Sequence, residues 1–163
     1  MRVWRIARRP YADLQGIGGE MGDGRWHTRP RRVVYLGSSL ALSSLEVLVN
    51  LDLPPEFLPR DYVAMEVDLP DDLPVTDVDP AQLPAGWREK AQWPACQGIG
   101  NRWLDGRDGA LLRAPSAVIP LEHNILLNPA HPDAARARVV ATHPFSFDPR
   151  VLALLGAAFR EPP

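Results

Sequence analysis

The 163 residues contain a single cysteine, Cys96, so no intrachain disulfide can form and the fold must rest on its core. Long apolar runs are missing too. No segment approaches the roughly 20 apolar residues of a membrane-spanning helix, and the opening Met1-Arg2-Val3-Trp4-Arg5 has no apolar h-region. A soluble chain of the reducing cytoplasm, without membrane association, is expected. Metal-ligand spacing is absent: His27, His123, His131 and His143 with Cys96 give neither HxxxH nor CxxC, and no metal is expected. No GxSxG surrounds any serine. Gly16, Gly18, Gly19, Gly22 and Gly24 fit neither GxGxxG nor GxxxxGK[ST]. They read either as a plain glycine-rich turn or as an irregular loop that delivers Arg25 and Trp26 to a site.

Net charge is small as well, −2 with a pI near 6.1, which argues against a protein built to neutralise phosphate backbones; direct nucleic-acid binding is not expected. The distribution is uneven. Residues 1–37 carry eight arginines against Asp13, Glu20 and Asp23, whereas residues 46–89 carry eleven acids against Arg60 and Arg88. One end suits an anion, although both runs also read as solvated faces.

What is abundant is proline, 18 residues, about double the usual share near 5%. Eight lie between Pro54 and Pro94. Proline fixes its own φ and pushes the preceding residue out of the α region, so "LPPEFLPRD", "DLPDDLPVTDVDPAQLP" and "WPACQG" read as ordered loops around one strand, with Phe57, Trp87 and Trp93 packing them onto the core. Strands are expected at 2–7, 32–37, 61–70, 114–120 and 137–148. The third alternates, Val63, Met65, Val67 and Leu69 on one face against Ala64, Glu66 and Asp68 on the other. Two helices follow from their caps: Ser38 or Ser39 before "LALSSLEVLVNL", and Asp148-Pro149 before "RVLALLGAAF". Without a regular βαβ alternation, the chain reads as one α+β domain with a mixed or antiparallel sheet and flanking helices.

Helical spacing puts Ser39, Ser43, Glu46 and Asn50 on one stripe among leucines. Glu46 is its only charge, so the stripe faces either solvent or a polar cleft. In "APSAVIPLEHNILLNPAHPD", Ser116, Asn124, Asn128 and His131 serve either turn capping or a site.

The order GRW, VVYLGSSLALSSLEVLV, WLDGRDGALLRAPSAVIPLEHNILLNPAHPD and PFSFDPRV resembles the RES-domain proteins over nearly the whole chain, with a RES domain at 1–159 and a tail at 160–163. The resemblance implies the toxin of a bacterial toxin–antitoxin pair with a Xre-like antitoxin as partner, a fold related to ADP-ribosyltransferases, and NAD+ as the substrate consumed. The family's residues fall on Arg25, Tyr35, Glu46 and Ser116, with Asn124 as a further match; Ile125 stands beside it where an aromatic is expected. In that reading Glu46 stabilises an oxocarbenium-like state, and Arg25 anchors the pyrophosphate with Arg29, Arg31 or Arg32 adding field. Tyr35 stacks on nicotinamide or ribose, Trp26 and Asn124 help bind the nucleotide, and Ser116 orients the ribose or Glu46. Water as acceptor makes a glycohydrolase, inorganic phosphate a phosphorylase, a protein side chain an ADP-ribosyltransferase. Two rivals stand beside these: an inactive module that binds nucleotide or antitoxin, and a ribonuclease, against which the charge and the lack of a histidine pair count.

Overall fold

A computed structural model describes residues 1–51, 54 and 57–158; the expected tail at 160–163 and part of the first proline-rich loop lie outside them. The alternating run becomes β3 (Tyr62–Asp68), and Val63, Met65, Val67 and Leu69 are all buried on one face, as their period requires. The other strands are β1 (Arg2–Arg8), β2 (Val34–Gly37), β4 (Val75–Asp77), β5 (Leu111–Pro115), β6 (His123–Leu127) and β7 (Arg138–Pro144); the helices are α1 (Gly18–Met21), α2 (Leu40–Val49), α3 (Trp93–Gly106) and α4 (Pro149–Ala158). The architecture is α+β. One seven-stranded sheet runs β4-β5-β6-β2-β1-β3-β7, antiparallel throughout except for the parallel β4–β5 pair, so it is mixed. No helix among the described residues is long and apolar enough to cross a membrane.

The two halves of the sheet meet at one point. β1 pairs with β3 from Arg2↔Asp68 to Arg8↔Tyr62, but with β2 only at Trp4↔Gly37. Beyond that pair β1 and β2 separate, and a cleft lined by Ile6 from one strand and Tyr35 from the other occupies the gap. α2 holds the junction, since the Ser43 hydroxyl donates to the Trp4 carbonyl (3.0 Å).

One hydrophobic core joins both halves, with Val3, Val63, Met65 and Val67 packed with Val34, Leu36, Ile125 and Leu127. A second lies between the opposite face of β2, β5 and β6 and α3, where Trp26, Cys96, Trp103 and Leu104 meet Leu112 and Leu126. Each fully buried large side chain of this kind contributes about 1.5–3 kcal/mol.

Four elements depart from the sequence expectation. "WPACQG" is not a loop but the first turns of the 14-residue α3, with Pro94 in the first turn, where a missing N–H costs nothing. Its buried residues Cys96, Gly100, Trp103 and Leu104 follow the helical period, a signal that the proline and the glycines mask. The strand expected at 114–120 lies at 111–115, because Ser116 turns the chain, and "HNILL" is a strand of its own. The short β4 sits within the acidic proline-rich stretch.

Candidate functional site

Ser39 caps α2, its hydroxyl accepting the Leu42 N–H (3.0 Å). Two turns on, Glu46 reaches residues far away in sequence. Its Oε1 accepts from the Ser116 hydroxyl (2.8 Å) and from the Asn124 side-chain amide (2.6 Å). The backbone explains why both donors are there. Asn124 on β6 is in register with Gly37 of β2 on one side and Ala114 of β5 on the other, and Ser116 follows β5 directly.

Ser116 is fully buried, and its oxygen accepts the N–H groups of Val118 (3.0 Å) and Ile119 (2.9 Å). The hydroxyl proton is therefore directed to Glu46, and the serine orients the carboxylate. Among the described residues nothing donates to the second carboxylate oxygen. Of the α2 stripe, Ser43, Glu46 and Asn50 line the cleft, while Ser39 is spent on the cap.

The glycine-rich segment ends in a tight turn in which Gly24 N–H donates to the His27 carbonyl (3.0 Å) and His27 N–H to the Gly24 carbonyl (3.5 Å). Arg25 and Trp26 form its tip. His27 is buried behind it, with Nε2 3.2 Å from the Gly19 carbonyl and Nδ1 2.9 Å from the Tyr35 hydroxyl, which also accepts the Trp26 N–H (3.3 Å). A Cβ on Gly24 would stand 2.6 Å from the Tyr35 hydroxyl and 2.7 Å from His27 Nδ1, so only glycine fits. Burial pushes the Tyr35 phenol up and the His27 imidazole down from their ordinary pKa values.

α3 fixes this loop from below: Gln97 donates to the Gly24 carbonyl (3.0 Å), and Asn101 bonds both the N–H and the hydroxyl of Thr28 (3.0 Å each).

Arg25 donates to the carbonyls of Trp87 (2.7 Å) and Arg88 (2.9 Å), with its guanidinium 5.7 Å from the Trp87 ring and 5.4 Å from the Trp93 ring. Burial lowers its pKa from the usual arginine value; the nearby Cys96 thiol and Glu46 oppose that shift. A guanidinium carries more N–H groups than two carbonyls consume, so donors remain. Arg88 Nε in turn donates to the Ala117 carbonyl (2.7 Å), tying the 84–92 segment across to the turn that holds Ser116.

Arg25, Tyr35, Glu46 and Asn124 thus line one cleft of ≈1070 Å³, and Ser116 stands directly behind it. Other expectations are corrected. Trp26 borders the cleft but is only 1% exposed, most of its ring packing in the second core. Arg31 and Arg32 do not add field at the mouth, because Arg31 pairs with Asp105 and Arg32 with Glu20, each at 2.8 Å. The cations added to the cleft are Arg5 from β1 and Arg88 and Lys90, with the Trp93 ring beside Lys90. "WREKAQW" was legible as a basic, aromatic island inside an acidic stretch; the role of His27 had no signal in spacing.

The RES domain family model matches residues 2–148. The chain is 43% identical over 142 residues to a Pseudomonas putida protein named Toxin Res, spanning 85% of this chain and 92% of that one. It is 35% identical over 155 residues to the Prs ADP-ribosylating toxin of a Sphingobium species, spanning 91% and 95%. Its fold matches a chain in the crystal structure of the M. tuberculosis MbcT–MbcA toxin–antitoxin complex, with a TM-score of 0.73 and 17% identity over 96% of this chain and 88% of that one.

Proposed function

The chain belongs to the RES-domain family, and on that premise we propose that it is the cytoplasmic toxin of a toxin–antitoxin pair and cleaves the nicotinamide–ribose bond of NAD+. The observation that carries this reading is the Glu46 carboxylate, held through one oxygen by Ser116 and Asn124 in a cleft that Arg25 also lines.

As the C–N bond breaks, its electron pair leaves with the pyridinium ring, which becomes neutral nicotinamide, and positive charge develops on the ribose. A fixed carboxylate beside that charge stabilises it without having to reorient. Oε1 is pinned by its two donors, so Oε2 is the oxygen available to a ribose hydroxyl or to the developing cation. Arg25 holds the pyrophosphate with the donors its clasp leaves over, Arg88 and Lys90 add positive field, and the Tyr35 ring packs against the nucleoside.

Water or inorganic phosphate takes the ADP-ribosyl group in the first reading. Transfer to a protein side chain is the second, favoured by the name of the Sphingobium relative. The test is to incubate the purified chain with NAD+, with and without phosphate and with a bacterial lysate, and to identify products by mass spectrometry. Free nicotinamide with ADP-ribose or its phosphate ester supports the first reading; nicotinamide with mass-shifted protein supports the second. Absence of nicotinamide release rejects both and leaves a binding module.

Arg25→Lys keeps the charge but loses the planar fork on two carbonyls. NAD+ binding measured by calorimetry is expected to weaken about tenfold, the scale of one charge-assisted hydrogen bond. Arg9→Lys, on the exposed turn after β1, should have no comparable effect; equal behaviour of the two variants would remove Arg25 from the site.

A Xre-like antitoxin is the expected partner, inserting an acidic or carboxylate-bearing segment at the cations Arg25, Arg88 and Lys90. Inhibition should then weaken as NAD+ is raised in a turnover assay. Complete inhibition indifferent to NAD+ would instead favour a clamp on the 84–92 segment.

A further inference from the structure

We propose that His27 is a positioning residue that sets the acid limit of the site: as a neutral imidazole protonated on Nε2, it accepts a hydrogen bond from the Tyr35 hydroxyl on Nδ1 and thereby holds the Arg25 turn. Its effect on turnover rests on the NAD+-cleaving reading, whereas the hydrogen-bonded relay itself does not.

The tautomer follows from the partners. A carbonyl oxygen only accepts, so the nitrogen 3.2 Å from the Gly19 carbonyl must carry a proton. A neutral ring then has its lone pair on Nδ1, and the atom 2.9 Å away, the Tyr35 hydroxyl, must be the donor there. The Tyr35 oxygen in turn receives the Trp26 N–H at the tip of the Gly24–His27 turn. Trp26 N–H and Tyr35 O–H each point to one acceptor, and the imidazole N–H faces backbone carbonyls, those of Gly19 and Gly22. The contact that fixes Gly24 as glycine is this same pair of atoms, so the turn packs on the relay with no slack.

Protonation of His27 reverses one link. Nδ1 then carries a hydrogen aimed at the Tyr35 oxygen, and the tyrosine proton must turn away to a region where no described residue accepts it. The bond lies partly buried beside the cleft, and its loss loosens the hold on the Arg25 turn. The charged groups around the ring are Asp23, which favours the cation, and Arg31, which opposes it; Tyr35 faces it from β2, and α3 presents the amides of Gln97 and Asn101 to the same turn. Burial outweighs Asp23, and the imidazole stays neutral below its ordinary range. As the neutral form is the working one, turnover is lost when pH falls through the His27 pKa, which burial lowers from the ordinary imidazole value.

The test has two arms. In the first, the imidazole ¹⁵N shifts of the intact protein are followed by NMR from pH 8 to 5. The expected state at pH 7 is Nε2–H with an unprotonated Nδ1; a ring protonated on Nδ1, or charged at pH 7, overturns the proposal whatever the activity. In the second, pH profiles of kcat and KM for NAD+ are compared for the wild type, His27→Phe and His27→Asn. Asparagine offers Oδ1 to the Tyr35 hydroxyl and does not titrate.

His27→Phe should lose about tenfold or more in kcat/KM, and His27→Asn should recover most of it with a flat acid limb. An acid limb unchanged in His27→Asn, or no recovery relative to Phe in a folded variant, overturns the assignment. If no variant, the wild type included, turns over NAD+, the functional reading fails and the NMR arm alone decides the relay.

Discussion

Glu46→Gln is expected to lower NAD+ turnover about 10²-fold or more, the usual scale for removing one fixed electrostatic stabiliser of a transition state. The substitution is close to isosteric, and the geometry around it predicts that the fold is indifferent. Ser116 and Asn124 both donate to one oxygen of the side chain, and the glutamine carbonyl accepts both. The new amide takes the place of the second oxygen, to which no described residue donates. Only the charge changes. The loss should therefore appear in kcat, with KM for NAD+ altered much less and the melting temperature within a few degrees. Single-turnover measurements with a melting curve check both halves; wild-type turnover in a folded Glu46→Gln protein would reduce Glu46 to a structural acceptor.

Gly100→Ala is expected to be the most damaging substitution away from the cleft. α3 passes so close to the tip of the Arg25 turn that a Cβ at residue 100 would collide with the Trp26 carbonyl, a backbone group that no rotamer change can move aside. Relief requires the helix to back away from Trp26 or the turn to be pushed toward Tyr35. Overpacking of this kind costs about 1–3 kcal/mol, read as a shifted urea midpoint. NAD+ binding should suffer together with stability, because the displaced backbone carries Arg25. A neutral Gly98→Ala serves as control, its Cβ meeting only the end of the Arg102 side chain at 3.6 Å.

Much of the fold was legible where a single period or a cap dominated. The alternation of β3, the Ser39 cap and the proline-initiated α4 all stand where local chemistry puts them. α3 was illegible because Pro94 and three glycines carry low helix propensity, and burial of Cys96, Trp103 and Leu104 against the sheet overrides it. β6 was hidden because Asn124 reads as a turn former; its place on a central strand is explained by the bond to Glu46.

The resemblance to the RES domain pointed to Arg25, Tyr35, Glu46, Ser116 and Asn124, and the fold brings four of them into one cleft with Ser116 bonded to Glu46 behind it. What spacing could not give was which charges remain available. Eight arginines near the N-terminus suggested a basic mouth, yet only Arg5 and Arg25 of them line the cleft, Arg31 and Arg32 are already paired, and the acidic stretch adds Arg88 and Lys90.

The long span between Glu46 and its two holders has a bearing on biosynthesis. Ser116 lies 70 residues downstream of the glutamate and Asn124 lies 78, and the second core under the Arg25 turn needs Leu126 of β6. A nascent chain that has made only its arginine-rich beginning and α2 holds an untethered carboxylate and an unsupported turn. Fragments released by early termination, or by cleavage before β6, lack the donor that completes the carboxylate's setting. The proposed damage to the host's own NAD+ pool is thus deferred until translation has passed most of the message, an interval in which a co-translated antitoxin can already be folding.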